Sequence, residues 1–383
     1  MRPFMPTSLT RREFVRFATV TTLALAGSRS TRGDGDRKSQ KPLYAFPLLG
    51  DIHYDRWAHH DLDWVKKEKP NDLRQIEGYV ATTEQYTPKL FVEVAAAVKK
   101  LKADGIPVPF VIQIGDLVEG LCGSFGLQSL QFRDATEAIE KAALGTPMLM
   151  TKGNHDITGP GAPEAFEKVL LPWLSTQADQ ELRSASFVRR QGDDLFVFFD
   201  AYKPDLDWLA ATLAAKENRA KRLFLAIHPP VIPYNARADW HIYPRENKRP
   251  LRDRLLSLLG GHRAMVLSGH LHKYNLLTRR TTAGPITQLA ISSVLRSEKD
   301  QPKGVLDGVE KYSSDLVNLE PKHSPDTVEA RRALLKAETP FIERFEYADT
   351  AGYAVVKVYA DRTDVDLYAG IGQAMWKSRK LSN

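Results

Sequence analysis

Eight side chains of this 383-residue chain, of types that hold metal ions or move protons, stand in short clusters. Asp51-Ile52-His53, Asp116, Asn154-His155, His228 and His270-Leu271-His272 offer carboxylate, amide and imidazole groups and no sulfur. That donor set suits iron, manganese, zinc or cobalt, and does not favour copper(I) or iron–sulfur chemistry. Residues at i and i+2 of an extended backbone project to the same side, so Asp51 with His53, and His270 with His272, can each bite one site. Seven candidate ligands (Asp51, His53, Asp116, Asn154, His228, His270 and His272) can serve two metals if one carboxylate bridges. Positions then remain open for water and substrate, as in catalytic rather than structural metal sites.

These residues need elements to bring them together. Each lies where a short apolar run, read as a buried strand, gives way to a loop. The runs are Leu43–Leu49, Val108–Ile114, Pro147–Thr151, Leu195–Phe199, Leu223–Ile227 and Ala264–Leu267. Amphipathic helices are expected between them at Lys89–Lys102, Arg133–Leu144, Pro163–Leu174, Asp205–Lys216 and Leu251–Leu259. Such an order makes a layered α/β fold, whose strand ends gather along one edge where ligands bind. Gly50, Gly115, Gly153 and Gly269 stand just before the candidate ligands, where sharp turns are needed. After Gly269 the pattern shifts to Tyr274–Arg279, Pro285–Ser292, Tyr353–Tyr359 and Thr363–Ala369, expected as strands of a second, partly antiparallel sheet. Residues 298–350, polar and rich in lysine and proline with one helical stretch at Thr327–Ala337, read as an insertion.

The ordered series Asp51-x-His53, Gly115-Asp116, Gly153-Asn154-His155-Asp156, His228 and Gly269-His270-Leu271-His272 resembles the calcineurin-like metallophosphoesterase superfamily over about residues 44–275. The resemblance implies a four-layer α-β-β-α sandwich with two mixed sheets and a dinuclear metal site at the C-terminal ends of the strands. It implies two divalent or trivalent metal ions, one held by Asp51, His53 and His272 and the other by Asn154, His228 and His270, with Asp116 bridging. It also implies His155 as a non-ligand catalytic group that aids the leaving oxygen or holds a phosphoryl oxygen. Two metals about 3.5–4 Å apart bring the pKa of a shared water toward about 7 and stabilise in-line displacement, so phosphoester hydrolysis by a metal-bridging hydroxide is the expected reaction. A module that binds metal or a partner without catalysis is the alternative on the same fold. Some relatives carry an aspartate three residues after the bridging one; here that place holds Glu119, either a partner of His155 or a solvated loop residue. Leu117, Val118 and Glu119 supply no tyrosine for a purple iron–tyrosinate centre.

Two stretches are candidates for substrate contact. Tyr54–Gln85 reads as a long loop with Tyr54, Arg56, Trp57, His59, His60, Trp64 and Arg74, although Trp64 reads better as packing on its own body. Asn235–Tyr243 offers Asn235, Arg237, Trp240 and His241, the last read as a solvated loop histidine. His262 and His323 read as surface. Cys122, the only cysteine, reads as a small buried residue and precludes an intrachain disulfide or a thiolate cluster.

The first 26 residues carry four arginines, an apolar stretch and a small-x-small site at Ala24-Leu25-Ala26, the organisation of a signal peptide. Thr10-Arg11-Arg12-Glu13-Phe14 resembles the twin-arginine signal, which implies the twin-arginine export machinery as a partner and a periplasmic or extracellular destination. A flexible linker is expected over 27–42, with one phosphoesterase domain over 43–383. Nothing after the signal is long and apolar enough to span a membrane. The net charge of +7 falls to a mild excess without the signal, so no stable nucleic-acid partner is expected.

Overall fold

The computed structural model describes residues 41–235, 241–319, 325–372 and 374–382. The expected signal peptide, most of the linker, Arg237, Trp240 and His323 lie outside the described residues. The described chain opens with β1 (Tyr44–Leu49), followed by α1 (Leu62–Glu68), α2 (Leu73–Gln85) and α3 (Thr87–Ala103) before β2 (Val111–Gln113). Helix α4 (Phe125–Lys141) leads to β3 (Met148–Met150), and α5 (Ala162–Ala165) and α6 (Leu171–Ala178) lead to β4 (Phe187–Gln191) and β5 (Asp194–Phe198). Helix α7 (Leu206–Ala214) precedes β6 (Arg222–Ala226), and α8 (Arg249–Gly261) precedes β7 (Met265–Ser268). Strands β8 (Tyr274–Arg280), β9 (Pro285–Ala290) and β10 (Lys303–Asp307) come before α9 (Pro325–Glu338). The described chain ends with β11 (Ile342–Asp349), β12 (Gly352–Val358), β13 (Thr363–Ala369) and β14 (Met375–Ser382).

The strands form two mixed sheets, ordered β14-β13-β12-β1-β2-β3 and β10-β11-β8-β9-β7-β6-β5-β4. Neighbours within β1–β2–β3 and β5–β6–β7–β9 run parallel, so the loops that follow these strands share one edge. Strand periodicity sorts the side chains of β5: Phe196 and Phe198 face the larger core, while Leu195 and Val197 face the second. Phe46 of β1 meets Phe196 and Phe224 edge-on at centroid distances of 5.4 and 5.7 Å, so the two sheets pack face to face. Leu90, Phe91, Val94 and Val98 of α3 complete the larger core on the outside of the first sheet. Leu209 and Leu213 of α7, with Leu255, Leu256 and Leu259 of α8, do the same for the second. The α/β sandwich with two mixed sheets is therefore the fold.

Helix ends follow local chemistry. Pro88 sits in the first turn of α3, and Ser124 caps α4 by accepting from Leu127 N–H at 3.3 Å. That cap starts α4 eight residues before the expected Arg133. Two expectations fail. The later strands do not make a sheet of their own: β8 and β9 extend the sheet of β5–β7, while β12–β14 extend that of β1–β3. Strand β12 covers the otherwise open edge of β1, an antiparallel pairing between residues some 300 apart in sequence. Most of the stretch Tyr54–Gln85 is not a loop: Val65 of α1, and Ile76 and Val80 four apart on α2, bury a small core of their own with Leu121. Trp64 packs against that core.

Candidate metal centre

The loops after β1, β2 and β3 from one sheet, and after β6 and β7 from the other, meet between the sheet edges. Asp116 Oδ2 lies 3.0 Å from His228 Nε2 and 3.7 Å from His53 Nε2. His53 Nε2 and His272 Nε2 face each other at 3.0 Å, and His270 Nδ1 and His228 Nε2 at 3.2 Å. Asp51 Oδ1 lies 3.5 Å from His272 Nε2 and 3.8 Å from His228 Nε2. Two donor groups that share Asp116 result, Asp51–His53–Asp116–His272 and Asp116–His228–His270. Asn154 and His155 line the same cleft of about 670 Å³, and Tyr202 OH donates to Asn154 Oδ1 at 3.2 Å.

The backbone reaches this arrangement by a route other than the extended pairs expected. His53, Asp116, His270 and His272 all have positive φ, between 49° and 72°. Left-handed backbone is costly for residues with a Cβ and gathers at functional sites held by their surroundings. For Asp116 the holding group is Asp156, fully buried, which accepts from the N–H groups of Gly153, Asp116 and Leu117 at 2.8, 3.1 and 2.9 Å. It staples the loop after β2 to the loop after β3. At Gly153 a Cβ would come within 2.1 Å of Asp116 N, so only glycine lets the two loops close. Burial, and then the neighbouring Asp116 charge, push the Asp156 carboxyl up to about 6.

The donor set fits a pair of cations. A ligand histidine usually donates its outer N–H to a buried acceptor, leaving an inner lone pair for the metal. His228 Nδ1 donates to the carbonyl of Ile114 at 2.6 Å, and His53 Nδ1 to Glu119 Oε2 at 2.7 Å. Their Nε2 atoms therefore face other nitrogens and Asp116, a set of donor atoms converging from several sides that a cation between them can use. Burial, reinforced by His228, lowers the pKa of His270 to about 3, and burial lowers that of His272, so both rings stay neutral as ligation requires. Burial works against charging His228, yet Asp116 and Asp51 raise its pKa to about 9. Burial likewise opposes ionising Asp116 and Asp51, but the surrounding histidines hold both carboxyls below their usual range.

Glu119 is not a solvated loop residue. It is fully buried, with Oε2 2.7 Å from His53 Nδ1 and 3.2 Å from His155 Nδ1. The longer arm of glutamate lets one carboxylate span both rings. His155 Nδ1 also donates to the Glu119 carbonyl at 2.7 Å, which leaves Nε2 as the ring nitrogen able to exchange a proton in the cleft. Burial lowers the pKa of His155, but Glu119 and Asp116 outweigh it and hold the ring well above the ordinary histidine range.

The candidate substrate contacts are redistributed. His59 and His60 are buried against Asp134 and Asp55, at 3.0 and 2.8 Å, and Tyr54 lines a separate groove between α3 and α4. Among the described residues the cleft is lined instead by Gln75, Tyr79, Tyr202, His241, Ile242 and Tyr243 beside the candidate ligands. His241 is only 4 % exposed rather than solvated. Asn235 is buried too, Cys122 is buried as expected with its thiol pKa raised by that burial, and His262 is exposed as expected. Gln75 and Tyr79 escaped sequence reading because their helix was read as a loop; their i, i+4 spacing was the available signal.

Comparison with solved structures finds likenesses at low identity. A purple acid phosphatase from yellow lupin (Lupinus luteus) superposes with a TM-score of 0.50 at 12% identity, covering 88% of this chain and 53% of that one. A dimetal phosphatase from Danio rerio gives 0.48 at 14% identity over 89% and 99% of the two chains. PhoD gives 0.49 at 14% identity over 90% and 72%. No curated protein matches by sequence. The sequence model of the family described as calcineurin-like phosphoesterase matches residues 46–274, more than half of the chain. That span runs from β1 to the start of β8 and takes in both donor groups, so the chain belongs to the calcineurin-like phosphoesterases, metal-dependent enzymes that hydrolyse phosphoester bonds.

Proposed function

We propose that the chain is an exported phosphoesterase in which Asp51, His53 and His272 hold one metal ion, Asn154, His228 and His270 hold a second, and Asp116 bridges them. The observation that carries this reading is the membership of Asp116 in both donor groups. When bound, the two ions supply a water acidic enough to attack at neutral pH and neutralise the phosphoryl oxygens. The protein's own part is to place and protonate. Tyr202 orients the Asn154 amide by its hydrogen bond to Oδ1. His155, anchored at Nδ1 by the Glu119 carbonyl, donates from Nε2 to the departing oxygen. The oxygen and nitrogen donors suit iron, manganese, zinc or cobalt. No helix among the described residues is long and apolar enough to cross a membrane. Residues 1–26 are proposed as a twin-arginine signal and 27–42 as a linker to the enzyme domain, on the strength of Arg11-Arg12 and the apolar stretch after it.

A panel of chromogenic phosphomonoesters and diesters tests the reading. Turnover is expected with added Mn²⁺ or Zn²⁺, is expected to vanish with chelator, and is expected to return on metal addition. Equal rates with and without chelator would contradict it. The ratio of monoester to diester rates then assigns the substrate class.

A further inference from the structure

Helix α2 carries none of the metal motifs, yet it touches them at two points one helical turn apart. Gln75 Nε2 donates to Glu119 Oε1 at 2.7 Å. Tyr79 lies flat on the His53 ring, with 4.2 Å between centroids and 4° between planes. Residues four apart share a helix face, so one face of α2 meets both the carboxylate and the ring that the carboxylate holds. The two oxygens of Glu119 are thereby divided. Oε1 takes the amide of Gln75, and Oε2 serves His53 and His155.

The terminal torsion of a glutamate is broad and nearly unrestrained by itself. A donor fixed on one oxygen sets that torsion and so aims the other oxygen. Resting on the ligand assignment above, we propose that Gln75 is a positioning residue for the metal centre. Acting through Glu119, it fixes the plane and tautomer of His53, and with them the affinity for the cation that His53, Asp51 and His272 hold. Partners on the outer nitrogen of a ligand histidine typically change metal affinity by about 10–100-fold when removed. Gln75 is exposed at the mouth of the cleft, so removing its amide leaves the core packing in place. Without that N–H, the buried Glu119 Oε1 loses its donor, and the carboxylate is free to turn away from His53.

Isothermal titration of the metal-stripped full chain with Mn²⁺ tests this. Gln75→Met keeps the arm and deletes the donor. The dissociation constant of one of the two binding steps is expected to rise by about 10-fold or more. Glu119→Gln should raise it at least as much, and the double variant no further than Glu119→Gln alone, because Gln75 acts only through Glu119. The thermal midpoint of the metal-free Gln75→Met protein should equal that of the metal-free wild type. Unchanged Mn²⁺ affinity in Gln75→Met, or losses that add in the double variant, would overturn the proposal. Wild type that binds no Mn²⁺ would overturn the ligand assignment beneath it, which is a different failure.

Discussion

Asp116→Asn is expected to abolish turnover and to leave the protein with one cation or none. The substitution preserves volume, and the amide oxygen can still accept from His155 N–H, which now reaches Asp116 Oδ1 at 2.8 Å. The loop therefore has reason to keep its course. What disappears is the charge shared by the two donor groups and one of the two acceptor oxygens that a bridge requires. Asp116 Oδ2 is the atom at 3.0 Å from His228 and 3.7 Å from His53, and a single amide oxygen cannot serve the backbone and both sites. The loss in kcat should exceed the roughly 10³-fold produced by deleting one stabilising donor. Elemental analysis beside the rate measurement checks it, and a variant that keeps two cations and wild-type turnover would refute the bridging role.

His155→Ala is expected to do the opposite to metal content. Its ring anchors to Glu119 rather than to either donor pair, so the variant should retain both cations while kcat falls by about 10²–10⁴-fold. The loss should be smaller with a good leaving group such as 4-nitrophenolate than with an alkoxide, because only the poor leaving group needs the proton. KM should change little. A variant that loses its metal, or one that slows equally on both kinds of ester, would show that His155 does not act as a general acid.

Much of the site was legible because its chemistry is local. Each candidate ligand stands within a few residues of an apolar strand, and parallel strands deliver their ends to one edge whatever their order in the sheet. The glycines before Asp116 and Asn154 marked the tight approach now seen between those loops. The rest depends on contacts that no window of sequence contains. Glu119 looks like any polar loop residue until Gln75, His53 and His155 close around it from three other segments. Asp156 follows the candidate ligand Asn154 by two residues, yet its acceptors point back to the loop after β2. His241 and Tyr202 reach the cleft from opposite sides of the His228 loop in sequence, with no periodicity to announce them.

The fold divides the same way. Buried strands such as β5 and β6 declare themselves as continuous apolar runs, whereas β4 (Phe187–Gln191) is an edge strand whose charged residues hide it. The helical character of α2 lay in Ile76 and Val80, an i, i+4 pair diluted by surrounding charge. Which sheet receives β12–β14 was out of reach, since that choice is made by the open edge of β1 rather than by anything in the later strands.

Elemental analysis of the native chain, purified without chelator from metal-replete cells, tests the dinuclear reading most directly. Two transition-metal ions per chain are expected, drawn from iron, manganese, zinc or cobalt. A native protein that turns over phosphoesters while holding no such ion would contradict it.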